Sequence, residues 1–296
     1  MRIAVAFAGQ GAEEPRMGVA MAEAYPAARQ LLDVAGPDVV EALHRGRALR
    51  ATSRAQPAMV AVGLGAFEAL AARGVAPEVT LGHSLGELSA WAATGAIGSA
   101  DAVRLAAARG VAMERAATRR PGGMLALSTA DLAVVARALE AGEAVGSIAI
   151  AAHNAVDEWV LTGDDAALRA AAREAPSRRL AVSGPWHAPS MRDAADAFGE
   201  ALAQLPVHPP RARMVANATG ELAPADAIPR LLVRQLARPV RWARSMRSLA
   251  RLGVTDLITC GPGKVLRHLA RGVDGMRAHA CEEPRDVERL AQILGS

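Results

Sequence analysis

Two cysteines in 296 residues, Cys260 and Cys281, are too few and too scattered for a disulfide framework or a zinc site. No metal ligand set is expected, and a reducing cytoplasm is the expected compartment. Aromatic residues make up only 3% of the chain, which argues against a base-stacking surface, and no nucleic-acid partner is expected. Lysine is nearly absent: Lys264 is the only one, so positive charge here means arginine. The formal net charge of +4 is modest for this length. It permits an acidic protein partner without requiring one. No apolar run approaches the length of a membrane span, and Met1-Arg2 leads into a short apolar strand rather than a signal peptide. The expectation is a cytoplasmic protein with no membrane contact.

Hydrophobic residues are plentiful at 51%, mostly Ala, Val and Leu, so the chain can bury a sizeable core. Its most informative stretch is Leu81-Gly82-His83-Ser84-Leu85-Gly86-Glu87. Glu78-Val79-Thr80-Leu81 before it reads as a short buried strand, and Leu85 to Ala93 after it reads as a helix. Strand, tight turn and helix form the setting of a nucleophile elbow. At such a turn, side chains at 82 and 86 would collide with the neighbouring strand and helix. The N-terminus of the helix favours a developing oxyanion.

The rest of the N-terminal part alternates strands and helices. Ile3-Ala4-Val5-Ala6-Phe7 is a candidate buried strand ending at Gly9-Gln10-Gly11. Helices are expected at Val19–Ala35, at 56–73 with Pro57 in its first turn, and at 99–117 with Ser99 as its cap. Strands separated by helices imply a parallel sheet, and ligands bind at the carboxyl ends of such strands. The Gly9-Gln10-Gly11 loop and Ser84 both fall at those ends.

Residues 121–184 read differently: strand at 124–127, helix at 131–141, strands at 147–152 and 158–162, helix at 164–174, strand at 179–182. This β-α-β-β-α-β order is the ferredoxin-like pattern. The expected architecture is α/β: a hydrolase-like parallel-sheet large domain (1–120 and 185–296) with an inserted ferredoxin-like α+β subdomain (121–184). His187 follows the insertion, between Pro185 and Pro189, which forbid a helix through it. A loop at a domain junction is a common place for a ligand cleft. His44 and His279 lie in apparent surface segments, and His153 is a weaker competitor as a base for Ser84. His83 flanks the serine, but adjacent side chains at a tight turn point apart.

The chain resembles the malonyl-CoA:acyl-carrier-protein transacylases, including the stand-alone acyltransferases of polyketide synthesis. Nine segments in family order carry the resemblance, among them Gln56-Pro57-Ala58, the Ser84 elbow, Arg109-Gly110, Trp186-His187-Ala188-Pro189-Ser190-Met191, Asn217 and Arg234-Gln235-Leu236. The resemblance implies Ser84 as nucleophile and His187 as base, then as acid toward the leaving thiol. It implies a backbone carbonyl at Gln235 to orient the histidine, and backbone N–H groups at Gln10 and Leu85 as the oxyanion hole. Arg109 would pair with the free carboxylate of the malonyl group; a guanidinium can hold it by two parallel bonds. Malonyl-CoA is then the substrate and the phosphopantetheine of an acyl carrier protein the acceptor. The expected enzyme is a monomer with no bound cofactor.

The chain departs from the family at Ala12-Glu13, at Asn154-Ala155-Val156, and at Trp186 and Ala188 around the histidine. Gly184-Pro185-Trp186 matches neither the usual malonyl nor the usual methylmalonyl version of that segment. Two neighbouring chemistries remain open on the same residues: a malonate-decarboxylase transacylase subunit and an acyl-thioester serine hydrolase. A non-catalytic interaction domain that kept the fold is disfavoured by intact Ser84, His187 and Arg109.

Overall fold

A computed structural model describes residues 2–270 and 275–295; Met1 lies outside the described residues. Strand β1 (Ile3–Phe7) is followed by helices α1 (Val19–Ala24), α2 (Pro26–Ala35), α3 (Pro37–His44) and the long α4 (Thr52–Ala71). Then come β2 (Val79–Gly82), α5 (Gly86–Ala93) and α6 (Ser99–Arg119). The middle of the chain holds β3 (Gly123–Ser128), α7 (Leu132–Glu143), β4 (Ile148–Ala155), β5 (Glu158–Gly163), α8 (Asp165–Ala171) and β6 (Ser177–Arg179). The chain continues with α9 (Arg192–Leu202), β7 (Arg213–Ala216), β8 (Glu221–Leu222), α10 (Ile228–Arg234) and α11 (Trp242–Arg251). It finishes with β9 (Asp256–Cys260), α12 (Lys264–Ala270), β10 (Arg277–Cys281) and α13 (Pro284–Leu294).

Two sheets result. The larger has the order β10-β9-β1-β2-β7-β8, parallel except for the short antiparallel edge strand β8. Its central strands β1, β2 and β9 are buried along their whole length, as unbroken apolar runs covered on both faces should be. The smaller sheet is antiparallel with the order β4-β5-β3-β6, the ferredoxin-like arrangement. Its strands have a two-residue period with two different jobs. Leu125, Leu127 and Leu161 pack with Val135 and Leu168 into a satellite core under α7 and α8. Met124, Ala126 and Val160, on the alternate positions, face a cavity over the larger sheet. Among the described residues, no helix is long and apolar enough to cross a membrane.

Several elements differ from the reading of the sequence. The helix expected over Val19–Ala35 is two helices, because Pro26 cannot donate to the preceding turn and holds Tyr25 extended. α4 starts at Thr52, so Pro57 sits in its interior rather than its first turn. Ser99 is the first residue of α6 and not its cap; Gly98 takes that position, and the Ser99 hydroxyl donates to Glu68 of α4 instead. β6 lies earlier than 179–182, in register with β3, and Leu180 and Val182 line the cavity. Helices α3, α9 and α13 and strand β10 were not anticipated. The apolar face of α9 consists of Ala194, Ala195, Phe198 and Leu202. His279 is not a solvated surface residue: it lies on β10 and its Nε2 meets the buried carboxylate of Asp256 at 2.8 Å.

The elbow itself shows why two glycines flank Ser84. Ser84 has φ +52°, a left-handed conformation that costs a non-glycine residue about 1 kcal/mol or more. A Cβ on Gly82 would overlap the backbone of Gly86, and a Cβ on Gly86 would overlap the carbonyl of Phe7. The helix therefore starts against the ends of β1 and β2 with no space for a methyl group. Gly86→Ala is expected to cost on the order of 3 kcal/mol of unfolding free energy. Denaturant unfolding checks this; a change below about 0.5 kcal/mol would show that the approach is not tight.

Candidate active site

The carboxyl ends of three neighbouring strands, β1, β2 and β7, present the site. In register, Phe7 of β1 sits beside Gly82 of β2, and the N–H of His83 donates to Phe7 O at 2.9 Å. The next residue after Gly82 and His83 is Ser84. Asn217, just past β7, receives the Ser84 N–H on Oδ1 at 2.7 Å and donates from Nδ2 to Gly82 O. These bonds hold the strained turn from the far side.

His187 Nε2 lies 2.7 Å from Ser84 Oγ, and its Nδ1 lies 2.7 Å from the backbone oxygen of Gln235, in the 3₁₀ turn after α10. A carbonyl oxygen only accepts, so Nδ1 carries the proton and Nε2 is left free to accept from the serine hydroxyl. His187 also has a left-handed backbone, φ +62°, so both partners of this pair are held in uncommon conformations. Among the described residues, no other histidine is hydrogen-bonded to Ser84. His83 Nε2 is bonded to Asn154 Oδ1 at 2.8 Å, and His153 stacks on Trp159.

Arg109, from the middle of α6, is only 3% exposed. Its Nη1 donates to Gln56 Oε1 at 2.8 Å, and its Nη2 approaches Ser84 Oγ at 3.5 Å and Gln235 Oε1 at 3.4 Å. Gln56 in turn donates to Thr52, which donates to Gln10 Oε1 at 2.6 Å. The start of α4, the middle of α6 and the loop after β1 are thus tied around one guanidinium. Burial lowers the Arg109 pKa to about 10, opposed by the attraction of Glu87, so the side chain remains charged at neutral pH. Burial also lowers the His187 pKa to about 3; Arg109 and His83 push the same way, and the hydrogen bond to Gln235 opposes them. The imidazole is therefore neutral and able to accept a proton. Glu87 is completely buried, and burial raises its pKa to about 7 against the bonds from Asn217 and Gln235.

These groups open onto a cavity of about 290 Å³ between the two sheets. Gln10, Ser84, Arg109 and His187 form its polar floor, while Met124 and Leu180 are among its apolar lining. Trp186 is buried against it, and Arg178 and Glu158 bring charge to the wall. Among the described residues, the backbone N–H groups of Gln10 and Leu85 donate to no other protein group. Glu13, one of the departures in sequence, accepts the Gly11 N–H at 2.8 Å and so shapes the loop after β1.

All six residues singled out from the sequence come together: Ser84, His187, Arg109 and Gln10 line the cavity, Leu85 follows the serine, and Gln235 lies behind the histidine. Two polar residues at the site have no role in the sequence reading, and a third has only part of one. Glu87 and Asn217 were quoted only as parts of motifs, and Gln235 was assigned its carbonyl but not its side-chain amide. Their signal was a charged or amide residue at a position the fold buries, and burial is not visible in a single sequence.

Fold and site together are of the α/β serine-nucleophile class, with a buried guanidinium beside the serine. The profile described as the acyl transferase domain matches residues 5–268. The malonyl CoA-acyl carrier protein transacylase of Escherichia coli strain K12 is 35% identical over 307 residues, covering 99% of each chain. Among solved structures, the acyl-carrier-protein-S-malonyltransferase of Bartonella henselae superposes with a TM-score of 0.92 at 30% identity, covering 100% of both chains. A malonyl-transacylase solved in complex with a type II polyketide synthase acyl-carrier protein superposes at 0.90 with 29% identity, over 99% of this chain and 100% of that one. The chain belongs to the acyltransferase family.

The buried imidazole gives a testable pH dependence. In the unfolded chain a histidine takes up a proton near pH 6.5, whereas in the fold His187 stays neutral down to about 3. The unfolded state then binds more protons between these values, so this residue lowers stability as pH falls from about 6.5 toward 3. His187→Gln is expected to lose less stability on acidification across that window than the parent. NMR titration should find the His187 ring unprotonated at pH 5; a midpoint near 6.5 would contradict the burial argument.

Proposed function

We propose that this chain moves a malonyl group from malonyl-CoA to the phosphopantetheine thiol of an acyl carrier protein, through an ester on Ser84. The observation that carries the reading is the buried, charged Arg109 with Nη2 3.5 Å from Ser84 Oγ, in a cavity that also holds the serine–histidine pair. A buried guanidinium beside a nucleophile calls for an acyl group with its own carboxylate.

In this mechanism His187 Nε2 takes the Ser84 proton as Oγ attacks the thioester carbonyl. The N–H groups of Gln10 and Leu85 receive the oxyanion, assisted by the N-terminus of α5. The C–S bond breaks, and His187 returns the proton to the CoA sulfur. The carrier thiol then attacks the serine ester with the same base, and Ser84 recovers its proton as the C–O bond breaks. The Gln235 carbonyl holds the histidine throughout, and the apolar roof from the smaller sheet limits water around the ester. These steps use only side chains and backbone donors, so the enzyme needs no resident cofactor; it works in the cytoplasm as a monomer.

Mass analysis after mixing with malonyl-CoA should show one malonyl adduct on the parent and none on Ser84→Ala, with the fold unchanged. An adduct of the same mass on the Ala variant would move the nucleophile elsewhere. Removing the guanidinium tests the acyl choice. A charge-assisted pair contributes roughly 1.5–3 kcal/mol, or about one to two powers of ten in rate. Arg109→Ala should lose that much with malonyl-CoA and keep or raise its rate with acetyl-CoA. An unchanged malonyl preference, or release of the acyl group to water when a carrier is present, would favour a serine hydrolase instead.

A further inference from the structure

Glu87 lies in the first turn of α5, three residues beyond Ser84, and is completely buried. A carboxylate at that depth needs partners for both oxygens. Oε1 accepts the backbone N–H of Asn217 at 2.7 Å, and Oε2 accepts Nε2 of Gln235 at 2.5 Å. The attraction between Glu87 and Arg109 acts across the Gln235 amide, whose Oε1 faces Arg109.

An amide has one accepting end and one donating end. Gln235 Nε2 faces two acceptors, Glu87 Oε2 and the backbone oxygen of Ser84 at 2.9 Å, while Oε1 faces Arg109 Nη2 at 3.4 Å. The opposite orientation would set oxygen against a carboxylate and a carbonyl, and N–H groups against a guanidinium. In its ionised form the Glu87 carboxylate only accepts, and it then rejects the opposite orientation more strongly than a neutral group could.

We propose that Glu87 is a positioning residue of the acyl-transfer site: its carboxylate fixes the Gln235 amide with the oxygen toward Arg109, and so orients the guanidinium that receives the acyl carboxylate. This rests on the reading of Arg109 given above. Glutamine at position 87 would keep the size but add a donor, which must face either the Asn217 N–H or Gln235 Nε2. Flipping the Gln235 amide relieves that clash and turns N–H groups toward Arg109.

Acylation of the full chain by malonyl-CoA and by acetyl-CoA tests this in the parent, Glu87→Gln, Arg109→Ala and the double variant, with thermal unfolding measured alongside. Glu87→Gln should lower the malonyl rate on the order of tenfold with a much smaller change for acetyl. In the Arg109→Ala background it should leave the residual preference unaltered, since the two act through one contact. Equal losses with both thioesters, additive losses in the double variant, or unchanged rates in folded Glu87→Gln would each overturn the proposal while leaving the function intact. Arg109→Ala with its malonyl preference intact would overturn the functional reading and this proposal together. If Glu87→Gln fails to fold, Gln235→Met removes the link while keeping the carbonyl to His187. It also removes the bond to the Ser84 carbonyl, a loss shared by both thioesters. Beyond that common loss the malonyl rate should fall further, and an intact malonyl preference there would also overturn the proposal.

Discussion

The site depends on one strained turn, Ser84 in a left-handed conformation at the end of β2. Such a residue persists only where its surroundings over-determine it. Here the constraints come from three directions. Gly82 and Gly86 let α5 start in contact with the ends of β1 and β2. Asn217 takes the Ser84 N–H from the β7 side, and Gln235 donates to the Ser84 carbonyl. The serine hydroxyl is thereby aimed at the cavity with little freedom left to lose on reaction.

The same contacts place the polar groups around it. The turn after α10 supplies the backbone oxygen to His187 and the side-chain amide to both Glu87 and Arg109. Four buried residues with charge or amide character, Glu87, Arg109, Asn217 and Gln235, therefore form one connected set rather than four separate contacts. In a medium of low polarity each member makes the others less costly to bury, and an interruption anywhere would leave an unpaired donor or acceptor. Arg109 is expensive to bury, and its charge is retained where an anionic acyl group would gain most from it.

The smaller sheet contributes shape more than chemistry. One face of its strands closes a private core with α7 and α8, and the other roofs the cavity. That division follows from the two-residue period of strands, which lets one sheet serve two layers at once. The roof brings apolar side chains such as Met124 and Leu180 over a polar floor, an arrangement suited to a thioester and unsuited to water.

The sequence by itself determined the alternation of strands and helices, the ferredoxin-like order of the middle segment and the serine turn. These are local matters of period, turn residues and hydrophobic runs, and each is written within a few neighbouring positions. Helix ends were less legible: Pro26 splits the first helix by its own missing donor, which an unbroken apolar pattern hides, and Pro57 and Ser99 fall inside helices whose starts are set by contacts with other elements. Arg109 could be singled out only by resemblance, since one arginine on an arginine-rich helix looks like solvated surface. Only the tertiary structure decided that it is buried, that Gln235 lies between it and Glu87, and that Asn217 holds the serine. Those contacts join residues as far as 148 positions apart. No periodicity or spacing encodes them, because they exist only where separate strand ends and helix ends meet in space.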